Sequence, residues 1–193
     1  MKRICVFCGS NTGANPAFLR AAETVGVFLA RNNIELVYGG GRIGLMGKVA
    51  DTVLAGGGKV IGVIPESLAI KEVAHQNLTD LHVVDSMHTR KALMAGLADG
   101  FIALPGGFGT FEEFCEIVTW AQLGIHRKPC ALLNADGFYD PLLAMFDTAT
   151  AENFISSEHR RLVLIESDIE KLYEQMINFR PPAIEKWLDK KST

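Results

Sequence analysis

Apolar residues in this chain gather into short runs, many of them rich in β-branched side chains. The stretches between the runs carry apolar positions at helical spacing. The runs predict strands over about 3–8, 34–38, 59–64, 81–84, 101–104, 129–133 and 162–165, and the intervening spacing predicts helices near 16–32, 44–56, 87–98, 110–124, 139–152 and 168–179. Asn15-Pro16 supplies an N-cap and a first helical residue, and Ser86 is a plausible cap for the helix that begins at 87. Strand–helix alternation from end to end predicts the α/β class, as a single-domain Rossmann-like, doubly wound parallel sheet with helices on both faces. The expected domain covers 1–180, with Pro181-Pro182 closing the last helix and a polar tail over 181–193. Segment 66–80 has little apolar periodicity and reads as a surface loop able to fold over a site.

Glycines cluster where such a sheet binds ligands. Gly9-Ser10 follows the first strand, Gly39-Gly40-Gly41-Arg42-Ile43-Gly44 the second, Pro65-Glu66 the third and Pro105-Gly106-Gly107 the fifth, all of them carboxyl-end loops. Gly56-Gly57-Gly58 instead closes a helix, where a cap and turn explain it.

The stretch Pro105-Gly106-Gly107-Phe108-Gly109-Thr110-Phe111-Glu112-Glu113 runs from a strand through a glycine loop into a helix. Glycine admits an anion close to backbone N–H groups, and the helix start adds free donors and partial positive charge, so phosphate is the natural guest. A carboxylate one turn further on is then free for chemistry on what the phosphate carries. A structural reading of the same residues also stands, with Thr110 as N-cap and Glu113 at N3 forming a capping box. The second loop satisfies G-x-G-x-x-G, with Glu66 as a ribose-binding acid, but it follows the second strand rather than the first, which argues against a dinucleotide.

In Asp85-Ser86-Met87-His88-Thr89-Arg90-Lys91 a basic pair sits early in a helix, against the dipole, on the carboxyl edge of the sheet where Gly106 should also lie. An anionic partner is therefore expected, with Arg90 offering a planar fork and Lys91 a point charge.

Composition narrows the partners. A chain of 193 residues, 48% apolar, can bury a full core, and a net charge of −3 with a pI near 6.0 gives no general attraction to nucleic acid or to an anionic membrane. The apolar run at the N-terminus is too short for a secretory segment, so a cytoplasmic protein is expected. Four cysteines are too few and scattered for a disulfide framework; Cys5 and Cys8 form a C-x-x-C inside a strand rather than opening a helix, and read as small buried hydrophobes. The five histidines show no metal-ligand spacing.

Taken together, Ser86-Met87-His88-Thr89-Arg90-Lys91, the stretch 105–113 and Thr119-Trp120-Ala121-Gln122-Leu123-Gly124-Ile125-His126 resemble the Lonely Guy (LOG) family of cytokinin riboside 5'-monophosphate phosphoribohydrolases. The likeness extends to Cys8-Gly9-Ser10 and Tyr38-Gly39-Gly40-Gly41. It implies hydrolysis of the N-glycosidic bond of an N6-substituted AMP to free base and ribose 5-phosphate. Arg90 and Glu113 match the catalytic pair. Glu72, Lys91, Gly107, Phe108, Gly109, Thr110, Glu112 and Thr119 match substrate-contacting positions, Gly106 belongs to the phosphate cradle, and Ser10, Gly40, Gly41 and Met87 are further candidates. Phe108 stands where many relatives carry Tyr, and Phe111 where Leu is common. The resemblance also implies a homodimer with sites near the subunit interface.

From the chemistry, an ionised Glu113 would stabilise an oxocarbenium-like ribosyl centre and direct water, its pKa lowered by the helix start, while Arg90 orients the substrate. Alternative readings are a broader nucleoside-monophosphate nucleosidase and a nucleotide-binding regulator without turnover. No cofactor or metal is expected. The older lysine decarboxylase label of the family would call for pyridoxal phosphate, and no lysine sits in a persuasive Schiff-base setting.

Overall fold

The computed structural model describes residues 1–69 and 74–182. Seven strands, β1 (Arg3–Phe7), β2 (Glu35–Tyr38), β3 (Val60–Pro65), β4 (Asp80–Val84), β5 (Gly100–Ala103), β6 (Cys130–Leu133) and β7 (Val163–Glu166), form one sheet in the order β4-β3-β2-β1-β5-β6-β7. Every neighbouring pair is parallel. The helices are α1 (Pro16–Arg31), α2 (Gly44–Ala55), α3 (Glu66–Ala69), α4 (Met87–Leu97), α5 (Phe108–Gln122), α6 (Asp140–Ala151), α7 (Ser157–Arg160) and α8 (Ile169–Asn178).

Alternation along the strands builds two cores. Ile4, Val6, Leu36, Tyr38 and Ile102 face α1, α2 and α8, against Val25, Leu29, Val49 and Leu172. Cys5, Phe7, Val37, Val63 and Phe101 face α4 and α5, against Met94, Phe114 and Ile117. Both faces of β1 and β2 are thus covered, which is why these strands read as unbroken apolar runs rather than as alternating ones.

The chain steps outward from β1 to β4, then returns to the far side of β1 as β5. That reversal is the topological switch point, and it sets the loop after β1 beside the loop after β5. The Gly9 N–H donates to the Pro105 carbonyl at 3.0 Å, joining the two loops.

Local signals explain most boundaries. Asn15 Oδ1 accepts from the Ala17 N–H at 2.9 Å and Ser86 Oγ from the Thr89 N–H at 3.1 Å. Two expectations need correction. Helix α5 begins at Phe108, with Gly107 as its N-cap and no side-chain cap bond, so Thr110 is not the cap and there is no capping box with Glu113. Segment 66–80 is not simply a surface loop: residues 66–69 form α3, and His75 is buried, its ring Nε2 2.9 Å from Asp51 Oδ1 and its backbone N–H donating to the Gly40 carbonyl. Short α7 has too few residues to show a period. The polar tail expected over 181–193 lies outside the described residues from 183 onward. Among the described residues no helix is long and apolar enough to cross a membrane.

Candidate active site

A cavity of about 470 Å³ opens at the carboxyl ends of β1, β2, β3 and β5, a size within the usual range for small-molecule sites. Cys8, Gly9 and Ser10 line it after β1, and Gly39 and Gly41 after β2. Ile43, Met46, Ile64 and Leu68 form an apolar wall. The opposite wall is the first turns of α5, at Gly107, Phe108, Gly109, Thr110 and Glu113. Gly107 brings no capping side chain, so the N–H groups of this turn are left for a ligand. A side chain at Gly106 would run into the Thr110 hydroxyl and the Gly9 amide, so only glycine lets the two loops close here.

Arg90, from α4, brings a cation into the cavity wall. Its Nη1 donates to Glu113 Oε1 at 2.6 Å and reaches Met87 Sδ at 3.2 Å, while Nε donates to the Val63 carbonyl at 3.1 Å. Both side chains are about nine-tenths buried, with 10% and 11% exposure. A side chain at Gly39 would collide with the guanidinium, which comes close to that backbone. Burial pushes the Glu113 carboxyl above its ordinary value, and the Arg90 charge pulls against that shift. The lowering expected from the helix start is therefore overturned: removal from water outweighs the dipole and the guanidinium together.

Lys91 is one residue, about 100° of helix, away from Arg90, and so it leaves the cavity. Its Nζ meets Glu112 Oε1 at 2.5 Å and Glu116 Oε2 at 3.0 Å on the outer side of the α4–α5 seam. The anion expected for Lys91 is thus the protein's own. Thr119 lies on the exposed face of α5, its hydroxyl donating to the Cys115 carbonyl at 2.7 Å. Gly40, with φ at +75°, stands behind the lining, Gly41 within it, and Glu66 is exposed at the start of α3. Glu72 lies outside the described residues. Cys5 and Cys8 are buried, and burial raises both thiols. Among the described residues no cluster of His, Cys, Asp or Glu is placed to hold a metal.

A switch-point cavity with a glycine-capped helix start and a buried Arg–Glu pair defines a Rossmann-like protein with a small-molecule site at the carboxyl edge of its sheet. The chain belongs to the LOG family, whose family model, described as "Possible lysine decarboxylase", matches residues 46–176. It is 53% identical to the cytokinin riboside 5'-monophosphate phosphoribohydrolase of Rhodococcoides fascians over 88% of this chain and 86% of that protein. It is 52% identical to a probable enzyme of the same name from Oryza sativa subsp. japonica over 90% of this chain and 78% of the relative. In fold it resembles the molybdenum cofactor binding protein of Rippkaea orientalis, with a TM-score of 0.69 at 23% identity, covering 92% of this chain and 97% of that one. A decarboxylase dependent on pyridoxal phosphate would need a lysine amine in the site. Among the described residues that line the cavity there is none, and the Lys91 amine is held by two carboxylates.

Proposed function

We propose that this protein hydrolyses the N-glycosidic bond of N6-substituted adenosine 5'-monophosphates, releasing the free base and ribose 5-phosphate. The observation that carries this reading is the buried Arg90–Glu113 pair facing the same cavity as the uncapped first turn of α5. The 5'-phosphate takes the N–H groups of 107–110, which sets C1' toward the pair. As the C1'–N9 bond breaks, its electrons leave with the base and positive charge grows on the ribosyl ring. The Glu113 carboxylate stabilises that charge and accepts a proton from water as the water oxygen bonds C1'. A carboxylate pushed up by burial is a better base than one at the surface. The proton it takes is the one the departing base needs, so the hydrolysis balances. Arg90 keeps Glu113 ionised and aimed. The apolar wall of Ile43, Met46, Ile64 and Leu68 supports an apolar N6 substituent over bare adenine.

The protein also acts, in this reading, as a cytoplasmic homodimer, with 1–180 as its catalytic domain. The four free cysteines, three of them buried, suit a reducing compartment. Phe108, Glu112, Cys115 and Thr119 form an outward stripe on α5, continued by exposed Leu123 and Ile125. Glu112 and Thr119 meet a substrate most simply across a subunit interface, and light scattering should give the dimer mass.

Incubation with N6-isopentenyladenosine 5'-monophosphate should yield free base and ribose 5-phosphate in equal amounts, faster than AMP does. Absence of ribose 5-phosphate would leave the regulator reading, and equal kcat/KM for the two nucleotides would leave the broader nucleosidase.

A further inference from the structure

Tyr139 lies outside every motif that points to the site, yet its ring reaches under the phosphate cradle. The side chain is 1% exposed, and its hydroxyl donates to the Leu104 carbonyl at 2.6 Å. Leu104 is fully buried and immediately precedes Pro105-Gly106-Gly107, beyond the last β5–β6 pair at Ala103 and Leu132. The Leu104 N–H is used on the Phe7 carbonyl at 2.9 Å, and the Pro105 carbonyl on the Gly9 N–H. The Tyr139 hydroxyl therefore supplies a donor to the Leu104 carbonyl where the ladder no longer does.

The tyrosine is itself fixed. Its N–H donates to Asn134 Oδ1 at 2.8 Å, while Asn134 Nδ2 donates to Asp140 Oδ1 at 2.7 Å. Its ring meets Phe138 edge-on at 5.0 Å and Phe111, in the first turn of α5, at 6.4 Å. One side chain thus joins the loop after β6, the exit of β5 and the start of α5.

We infer that Tyr139 is a positioning residue that sets the register of the 105–110 cradle and so the selectivity for a 5'-phosphate. This rests on the proposed placement of the phosphate at that cradle. The hydrogen bonds of Tyr139 go to Leu104 and Asn134 and those of Arg90 to Val63, Met87 and Glu113, so loosening the cradle weakens phosphate recognition while leaving the chemical pair assembled.

The test compares wild type and Tyr139→Phe on N6-isopentenyladenosine 5'-monophosphate and on its unphosphorylated riboside. Removal of the hydroxyl should lower the ribotide-to-riboside ratio of kcat/KM at least about fivefold, through a higher KM for the ribotide, with kcat within about twofold. Asn134→Ala, which frees the Tyr139 backbone, should move the ratio the same way if the first variant fails to fold. A ratio unchanged in the folded variant, or a fall in kcat alone, would overturn the inference. Equal wild-type values for ribotide and riboside would be a different failure, removing the phosphate from the cradle and the inference with it.

Discussion

Arg90 Nη1 and Glu113 Oε1 meet at 2.6 Å in the wall of the cavity, while the adjacent residues Lys91 and Glu112 meet at 2.5 Å on the outside of the same helix seam. Two ion pairs from consecutive positions thus join α4 to α5, and the one-residue offset turns one pair inward and the other outward. The inner pair is out of water, so removing one partner strands a charge at a cost of about 3–5 kcal/mol. The outer pair is screened on the Glu112 side, 55% exposed, and contributes much less.

Arg90→Lys should restore only part of the turnover that Arg90→Ala loses. The guanidinium serves Glu113 and Met87 Sδ from Nη1 and the Val63 carbonyl from Nε, and a single ammonium cannot reproduce that planar set. Steady-state assays should show kcat for the lysine variant down at least about tenfold, and lower still for alanine. Full activity with lysine would mean that charge alone suffices at position 90.

Glu113 should leave a signature in the pH dependence of stability. Its carboxyl is raised in the fold, chiefly by burial, so the folded chain binds that proton more tightly than the unfolded chain. Its stabilising contribution is therefore complete below the unfolded value, about pH 4, and is lost as pH rises through the folded value. Melting temperatures of wild type and Glu113→Gln, measured from pH 4 to neutrality, should diverge, with wild type losing ground to the glutamine variant as pH rises. Wild type gaining ground with pH would show a lowered carboxyl and an ordinary ion pair.

The sheet was readable because strands buried on both faces give short unbroken apolar runs, with glycine or proline punctuating their carboxyl ends, as at Gly39 and Gly106. Arg90, Glu113 and the cradle were readable from motif and position. Their contact was not, since it depends on how α4 and α5 cross. Helix phase separated Arg90 from Lys91, a distinction that adjacent basic residues hide. The start of α5 was misjudged because Thr110 offers a stronger capping signal than Gly107, yet the chain uses the glycine and leaves the N–H groups open. The Glu113 shift ran against expectation because burial of a side chain follows from tertiary packing alone. Tyr139 and His75 carried no motif signal, and His75 stands beside Gln76 and Asn77 in a stretch with little apolar periodicity.

Glu113→Gln measures the role of the carboxylate most directly, because it keeps the side chain's shape and removes only its charge. Arg90 can still donate to the amide oxygen, so the variant should fold. Loss of a pre-organised charge opposite an oxocarbenium-like centre costs about 10²–10³ in rate. Single-turnover and steady-state assays on N6-isopentenyladenosine 5'-monophosphate should show kcat at least about a hundredfold lower, with nucleotide binding close to wild type in a variant that remains folded at the assay pH. A glutamine variant that keeps more than about a tenth of wild-type kcat would contradict a catalytic Glu113 and leave it as the buried partner of Arg90.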